Sequence, residues 1–228
     1  MSASSPTLRR RRLSAELRAL REVKGMTSVE ATKRLDWSSG RLTRMERGEW
    51  VRPNPRDIRD LLDLYEVNDE RKREYLLTLA REGRQRGWWH PYREMLSERY
   101  STYIGLEADA ASVLTFEPLM IPGLLQTADY ARGLLAGGPS EHGTDEIEKR
   151  VEIRLERQKL LTRDDDPLRL WAVMDEAVLR RSMGGPDVAR GQLGHLVELS
   201  TLPRVTLQVV PFSVSFHPGV AGPFTILE

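Results

Sequence analysis

The chain has 228 residues, no cysteine, 39% hydrophobic and 30% charged residues, and 35 Lys+Arg against 34 Asp+Glu, a formal net charge of +1. That length accommodates one large or two modest domains, and the missing cysteines exclude a disulfide scaffold, a thiolate metal site and a cysteine nucleophile. Met1 to Pro6 lacks the apolar centre of a signal peptide, and no run approaches the roughly 18 apolar residues that span a bilayer, so a soluble cytoplasmic protein without membrane contact is expected.

Charge is unevenly distributed. Residues 1–87 hold 21 basic and 14 acidic side chains, and residues 88–228 hold 14 and 20, so a part of net +7 is joined to one of net −6. Such asymmetry fits nucleic-acid contact by the basic part, and it equally fits uneven solvated surface. Behind Arg9–Arg12, the spacing of Leu13, Leu17, Leu20 and Val23 predicts a helix over 8–24, stopped by Gly25. Thr27 and Glu30 have capping-box spacing and open a short second helix ending near Leu35. After an Asp36-Trp37 turn, Ser38 is the expected N-cap of a third helix that reaches Arg47 and is closed by Gly48. Leu42 and Met45 share its apolar face, while Ser39, Gly40, Thr43, Arg44 and Arg47 lie on the other. Two short helices across a tight turn, the second with an arginine-bearing outer face, have the form of a helix-turn-helix that reads the major groove. Asn54 followed by Pro55 predicts the N-cap and first position of a fourth helix with Ile58, Leu61, Leu62 and Tyr65 inward. Glu66–Asp69 breaks it, and a fifth helix over 70–84 is expected to bury Tyr75, Leu76, Leu79 and Ala80.

The run Ser28 to Gly48, with its Leu-Asp-Trp-Ser turn and Arg-Met-Glu-Arg-Gly ending, resembles the XRE-type, phage-repressor-like helix-turn-helix family, its actinobacterial branch above all. The resemblance implies a five-helix bundle over residues 1–87 that binds double-stranded DNA, as a homodimer on two half-sites. By matching position it places Ser39, Gly40, Thr43 and Arg44 toward bases and Thr27, Ser28, Ser38 and Arg41 toward the phosphate backbone. One departure is Ala31-Thr32, where many relatives carry Leu-Ala.

At the junction, Trp88-Trp89 is expected to fix packing between the two domains rather than to stack on bases, and His90 to be structural. A helical period through Tyr100, Tyr103, Ile104, Glu107, Ala110, Ala111 and Leu114 predicts one helix over 98–114, with Glu107 either a catalytic carboxylate or a buried structural one. Ile121–Thr127 forms a turn into a helix over 128–135, ended by Gly137-Gly138-Pro139. The next helix, over 145–161, is expected to bury Ile147, Val151, Leu155 and either Gln158 or Leu161. Asp164-Asp165-Asp166 lacks the other positions of an EF-hand and forms a turn. A strand over 168–174, a helix from Asp175 to Met183, a helix over 186–200 with Val188, Leu193, Leu196, Val197 and Leu199 inward, and strands over 204–210 and 224–227 follow. The fold class is therefore mainly α: a repressor-like bundle followed, over residues 88–228, by an α+β or α/β part with a small mixed sheet, whose first two predicted strands are parallel or non-adjacent.

Asp175, Glu176, His195 and His217 are the best candidates for acid–base chemistry. No catalytic motif joins them, so no catalytic, cofactor or metal residue is assigned and the protein is not expected to be an enzyme.

In order, Ile121–Ala131, Arg154–Gln158, Asp175–Arg181, Gly191–Leu193 and Leu207–Phe212 resemble the C-terminal DUF5753 domain of actinobacterial regulators similar to Scr1-type antitoxins. That resemblance implies a transcription regulator, nucleoid-associated when bound to DNA, whose second domain binds a small DUF397-type protein. It also implies an alternative, an antitoxin-like protein that sequesters such a partner and uses DNA binding for autoregulation. The family pattern runs past the last strand, so truncation at Glu228 is expected.

Overall fold

The computed structural model describes residues 5–50, 52–138 and 143–228, so the expectations placed on Met1 to Ser4 and on Pro139 fall outside the described residues. Helix α1 (Pro6–Val23) starts at Ser5, whose hydroxyl accepts from Leu8 N–H at 3.5 Å, with proline in the first turn. It is followed by α2 (Ser28–Arg34), α3 (Arg41–Glu46), α4 (Pro55–Leu64) and α5 (Glu70–Glu82). The first four helices share one ending. Gly25, Asp36, Gly48 and Glu66, each two residues past its helix, adopt left-handed φ of 67°, 52°, 75° and 54°. Their amides and the next ones return to the last-turn carbonyls; after α2, Asp36 N–H donates to Lys33 at 3.2 Å and Trp37 N–H to Thr32 at 3.0 Å. Chain direction therefore changes sharply with few unsatisfied carbonyls, so short helices can fold back onto one core of Leu13, Leu17, Leu42, Ile58, Leu61, Leu62 and Leu76.

Asn54 and Pro55 occupy the positions expected of them. Tyr75 does not: Leu77 takes its inward place, and Tyr75 is exposed beneath the Arg12 guanidinium, 5.5 Å from the ring centroid.

The chain divides into two compact units, one running to Pro91 and taking in Glu98–Asp109, the other formed by Tyr92–Ser97 and Ala110–Glu228. Helix α6 (Glu98–Glu107) packs within the first. Ser5 donates through its amide to Asp109 and through its hydroxyl to the Gly105 carbonyl. A Cβ on Gly105 would lie 2.3 Å from Thr7 Oγ1 and 3.0 Å from Trp89, so this contact needs glycine. Trp89 is thus buried against α6, and Glu107 is fully buried. The single helix expected over 98–114 stops at Glu107, because Val113, Leu114 and Phe116 belong to a strand paired on both edges, whose apolar run has no helical partner.

In the second unit, β1 (Ser112–Glu117), β2 (Arg169–Asp175), β3 (Val205–Val210) and β4 (Phe224–Leu227) form a sheet in the order β3-β2-β1-β4. β1, β2 and β3 run parallel and β4 is antiparallel to β1. The crossovers are α7 (Ala128–Ala136) and α8 (Thr144–Gln158) between β1 and β2, then α9 (Glu176–Arg180) and α10 (Pro186–Leu199) between β2 and β3. Val113, Leu170, Ala172, Met174 and Val205 meet Leu125, Tyr130, Val178 and Leu196 in its core.

Three glutamines clamp the turn after β1. Gln126 Nε2 donates to Ile121 O at 2.7 Å, and Gln158 Nε2 donates to Gly123 O and Gln126 O at 3.1 and 2.7 Å. Gln192, 1% exposed, accepts from Thr127 N–H and donates to Leu125 O, both at 2.7 Å. This explains two departures from expectation: α10 turns Gln192 inward and leaves Leu193 and Val197 exposed, and α8 buries Ile153 and Arg157 while Leu155 is exposed. Backbone groups in a buried turn need partners, and that need outranks side-chain hydropathy at single positions.

Among the described residues, no helix is long and apolar enough to cross a membrane, and no group of three or more His, Asp or Glu residues is placed to hold a metal ion.

A Cβ on Gly48 would meet only Ser14 Oγ at 3.9 Å, an ordinary contact, so Gly48→Ala isolates the cost of the left-handed backbone. Urea denaturation should show a loss of about 1–2 kcal/mol, whereas Asp36→Gly should be neutral or stabilising by up to ~1 kcal/mol. Equal responses at the two positions would contradict this account of the helix ends.

Candidate nucleic-acid interface

Thr27 and Glu30 cap α2 reciprocally: Glu30 N–H donates to Thr27 Oγ1 at 3.1 Å and Thr27 N–H to Glu30 Oε2 at 2.8 Å. The backbone donor holds the Glu30 carboxyl below its ordinary value. Ala31 and Thr32 are both buried, and the Thr32 hydroxyl donates to Ser28 O at 2.6 Å, so the threonine fits its interior place.

Ser38 is not the N-cap of α3. Arg41 N–H donates to Ser38 O at 3.1 Å, and Gly40 has φ 76° and ψ −4°, the third-position geometry of a type II turn. That turn absorbs Ser38 and Ser39 and leaves Gly40 as the cap, because only glycine takes this φ at low cost. Helix α3 is therefore six residues long.

The structure gathers most of the candidate residues around one recess of about 280 Å³ between α2 and α3, lined by Ser28, Ser39, Gly40 and Thr43. The Thr43 hydroxyl reaches Ser28 Oγ at 3.4 Å across it. Thr27 and Ser38 are exposed beside it, and so is Arg44. One Arg44 nitrogen would be 3.3 Å from a Cβ on Gly40, so this side chain leans back toward the start of its helix. Arg41 is differently placed: its guanidinium meets Asp57 at 2.5 Å and lies over the Trp37 ring, 4.5 Å from the centroid. Val29, Thr32, Lys33 and Asp36 also line the recess. Their helical spacing from Ser28 was the available signal for Val29, Thr32 and Lys33; nothing local announced Asp57 as the partner of Arg41.

Charge sharpens this picture. Arg18, Arg21, Arg73 and Arg81 all pair with carboxylates in the same unit. Lys33, Arg44 and Arg47 are exposed on the α2–α3 surface and carry no ion pair among the described residues; the same holds for Arg34, Arg56, Arg59 and Arg71 elsewhere in the unit, and Asp36 also lines the recess.

The seat of α3 is an ion pair. Arg21 on α1 donates through Nε and Nη2 to the two Glu46 carboxylate oxygens at 2.6 and 2.9 Å, and through Nη1 to Met26 O at 2.7 Å. Both side chains are nearly buried, with 12% and 7% exposure. Hydrogen bonding to Glu46 raises the Arg21 pKa above its ordinary value. The neighbouring Tyr65 hydroxyl is buried without a partner among the described residues, and burial, then the Glu46 charge, push its pKa up.

The candidate acid–base residues are engaged separately. Asp175 caps α9 through Ala177 N–H at 2.8 Å. Glu176 pairs with Arg180 and accepts from Phe212 N–H, His195 lies 3.8 Å from Glu198, and His217 stands edge-on to Phe116.

Two short, reciprocally seated helices with a free basic outer face define a helix-turn-helix DNA-binding regulator, and the family described as "Helix-turn-helix domain" (HTH_31) matches residues 12–76. The chain belongs to the family described as "Domain of unknown function (DUF5753)", which matches residues 100–228. Comparison with curated proteins and with solved structures returns no match.

Glu46→Ala leaves the Arg21 guanidinium nearly buried without its counter-charge and should cost about 3 kcal/mol of stability in chemical denaturation. Arg21→Met with Glu46→Leu should recover most of that loss. A single variant as stable as the parent would show that the pair does not seat α3.

Proposed function

We propose that this protein is a sequence-specific, DNA-binding transcription regulator that places α3 in the major groove and binds as a homodimer on two half-sites. The observation that carries the reading is the short helix α3 beside a small-residue recess, with the exposed Lys33, Arg44 and Arg47 around it. Ser39, Gly40 and Thr43 let the helix approach base edges, and Arg44 is long enough to reach a guanine. Ser28 and Ser38 donate to phosphates, while a phosphate must compete with Glu30 for the Thr27 hydroxyl and with Asp57 for Arg41. The protein acts in the cytoplasm, associated with the nucleoid when bound, and carries out no catalysis.

A second reading rests on the net −6 of residues 88–228, of which −4 lies in the second unit, with 13 basic and 17 acidic residues. There the protein is antitoxin-like and sequesters a small partner of the DUF397 type on its second unit, with DNA binding serving autoregulation. In the first reading the same partner modulates DNA affinity.

Gel shifts on the protein's own promoter test the main reading. Binding should weaken steeply with salt, and Arg44→Ala should relax discrimination at one base position by about 1–3 kcal/mol. Absence of binding at low salt would overturn it. The two readings separate on co-purification of the full chain with the small protein from the neighbouring gene. Tight capture that leaves DNA affinity unchanged favours sequestration, altered affinity favours modulation, and no capture removes the partner from both.

A further inference from the structure

The sheet of the second unit has a core on one face. On the other, strand alternation aligns Ile226, Leu114 and Trp171 in one row across β4, β1 and β2, and Phe224, Phe116 and Val173 in the next. The connection from β3 to β4 passes over the second row: His217 packs against Phe116 with ring centroids 5.5 Å apart, and a Cβ on Gly219 would sit 2.4 Å from the same ring. Flanking residues of that connection, Phe216 and Val220, are 78% and 59% exposed. Trp171, Phe224 and Ile226 are 47%, 51% and 48% exposed.

We infer that this outer sheet face is a two-fold interface with a second copy of the same chain. Side chains of these sizes, about half exposed, leave on the order of 550 Å² of contiguous apolar surface, at the upper end of what monomers show. A standard interface takes about 800 Å² from each partner, and homodimer interfaces are about 65% apolar. The patch supplies that apolar share, and Thr206 and Gln208, which continue the two rows on β3, begin a neutral polar rim.

Charge selects the occupant. The two rows themselves carry no ionisable group; beyond them on this face stand Arg169, Arg204 and Glu228 at one end and Asp175 at the other, two charges of each sign, with His217 against Phe116. A two-fold contact sets a patch against itself, so a charged face would repel its copy and this one does not. A basic partner would find no carboxylate within the rows, so the net negative charge of this part of the chain has to act elsewhere on its surface.

This inference deepens the dimeric part of the proposed function and rests on it, but its test uses no DNA, so the two can fail separately. Sedimentation velocity of the full chain at micromolar concentration should show a dimer, and Trp171→Glu with Ile226→Glu should weaken it by at least about 30-fold with an unchanged far-UV spectrum. Because the chain has no cysteine, Thr206→Cys supplies a reactive probe that spares the apolar rows. Thiol alkylation there should slow as the chain passes from nanomolar to micromolar concentration, while at Val197→Cys on α10, 68% exposed, it should not. A monomeric parent, a dimer indifferent to the two charges, or no slowing at Thr206→Cys would each overturn the assignment. Loss of DNA binding with the dimer intact would instead count against the DNA reading alone.

Discussion

The helix-turn-helix depends on one buried exchange of charge, the two-pronged contact between Arg21 and Glu46. A helix of six residues cannot sustain itself in water, since nucleation consumes most of the hydrogen bonding it offers. α3 therefore derives its order from its seat. Leu42 and Met45 supply apolar burial, and Glu46 fixes its last turn to α1. The ion pair contributes direction more than net stability, because two desolvated charges recover little beyond what each lost on leaving water. It requires Glu46 to lie against Arg21, and so turns Thr43, Arg44 and Arg47 outward. The same geometry leaves Arg44 and Arg47 exposed, so that their charge extends into solvent.

What could be read in advance follows from how far each signal travels. The Thr27–Glu30 box, the Asn54-Pro55 start and the Gly25 and Gly48 stops are local, each set by backbone amides within one turn, and all stand where the sequence places them. Ser38 misled because two residues after it a glycine permits a type II turn, and a turn that can form at low cost displaces a helix cap. β1 was hidden for a different reason. Val113, Leu114 and Phe116 follow no strict alternation, a pattern that helix and strand share, and the identity of β1 comes from β2 and β4, far away in sequence. Arg41 belongs to the same class: its type and position were legible, its pairing with Asp57 on another helix was not.

The inverted faces of α8 and α10 carry a further lesson. Hydropathy predicts Leu155, Leu193 and Val197 inside, and instead Arg157 and Gln192 are buried. Gln192 joins the amide and carbonyl of a turn that would otherwise place unsatisfied polar atoms in the interior, and an unmet buried donor costs more than one exposed valine. The motif around Gln126 was thus readable as a recognisable string while its function in the fold, presenting backbone groups to three glutamines, was not.

The two units manage surface in opposite ways. In the first, apolar side chains are largely consumed by the core and the exposed remainder is charged, so its outward chemistry is electrostatic, long in range and sensitive to salt. In the second, the helices cover one face of the sheet and the opposite face keeps two apolar rows, uncharged themselves, whose attraction is short in range and insensitive to salt. A net charge of +1 for the whole chain conceals this division. Charge-driven binding loses strength with every increment of ionic strength, whereas apolar association does not. A regulator that coupled the two would retain its paired state at salt concentrations that strip it from non-specific DNA, and would then engage two half-sites with both copies already joined.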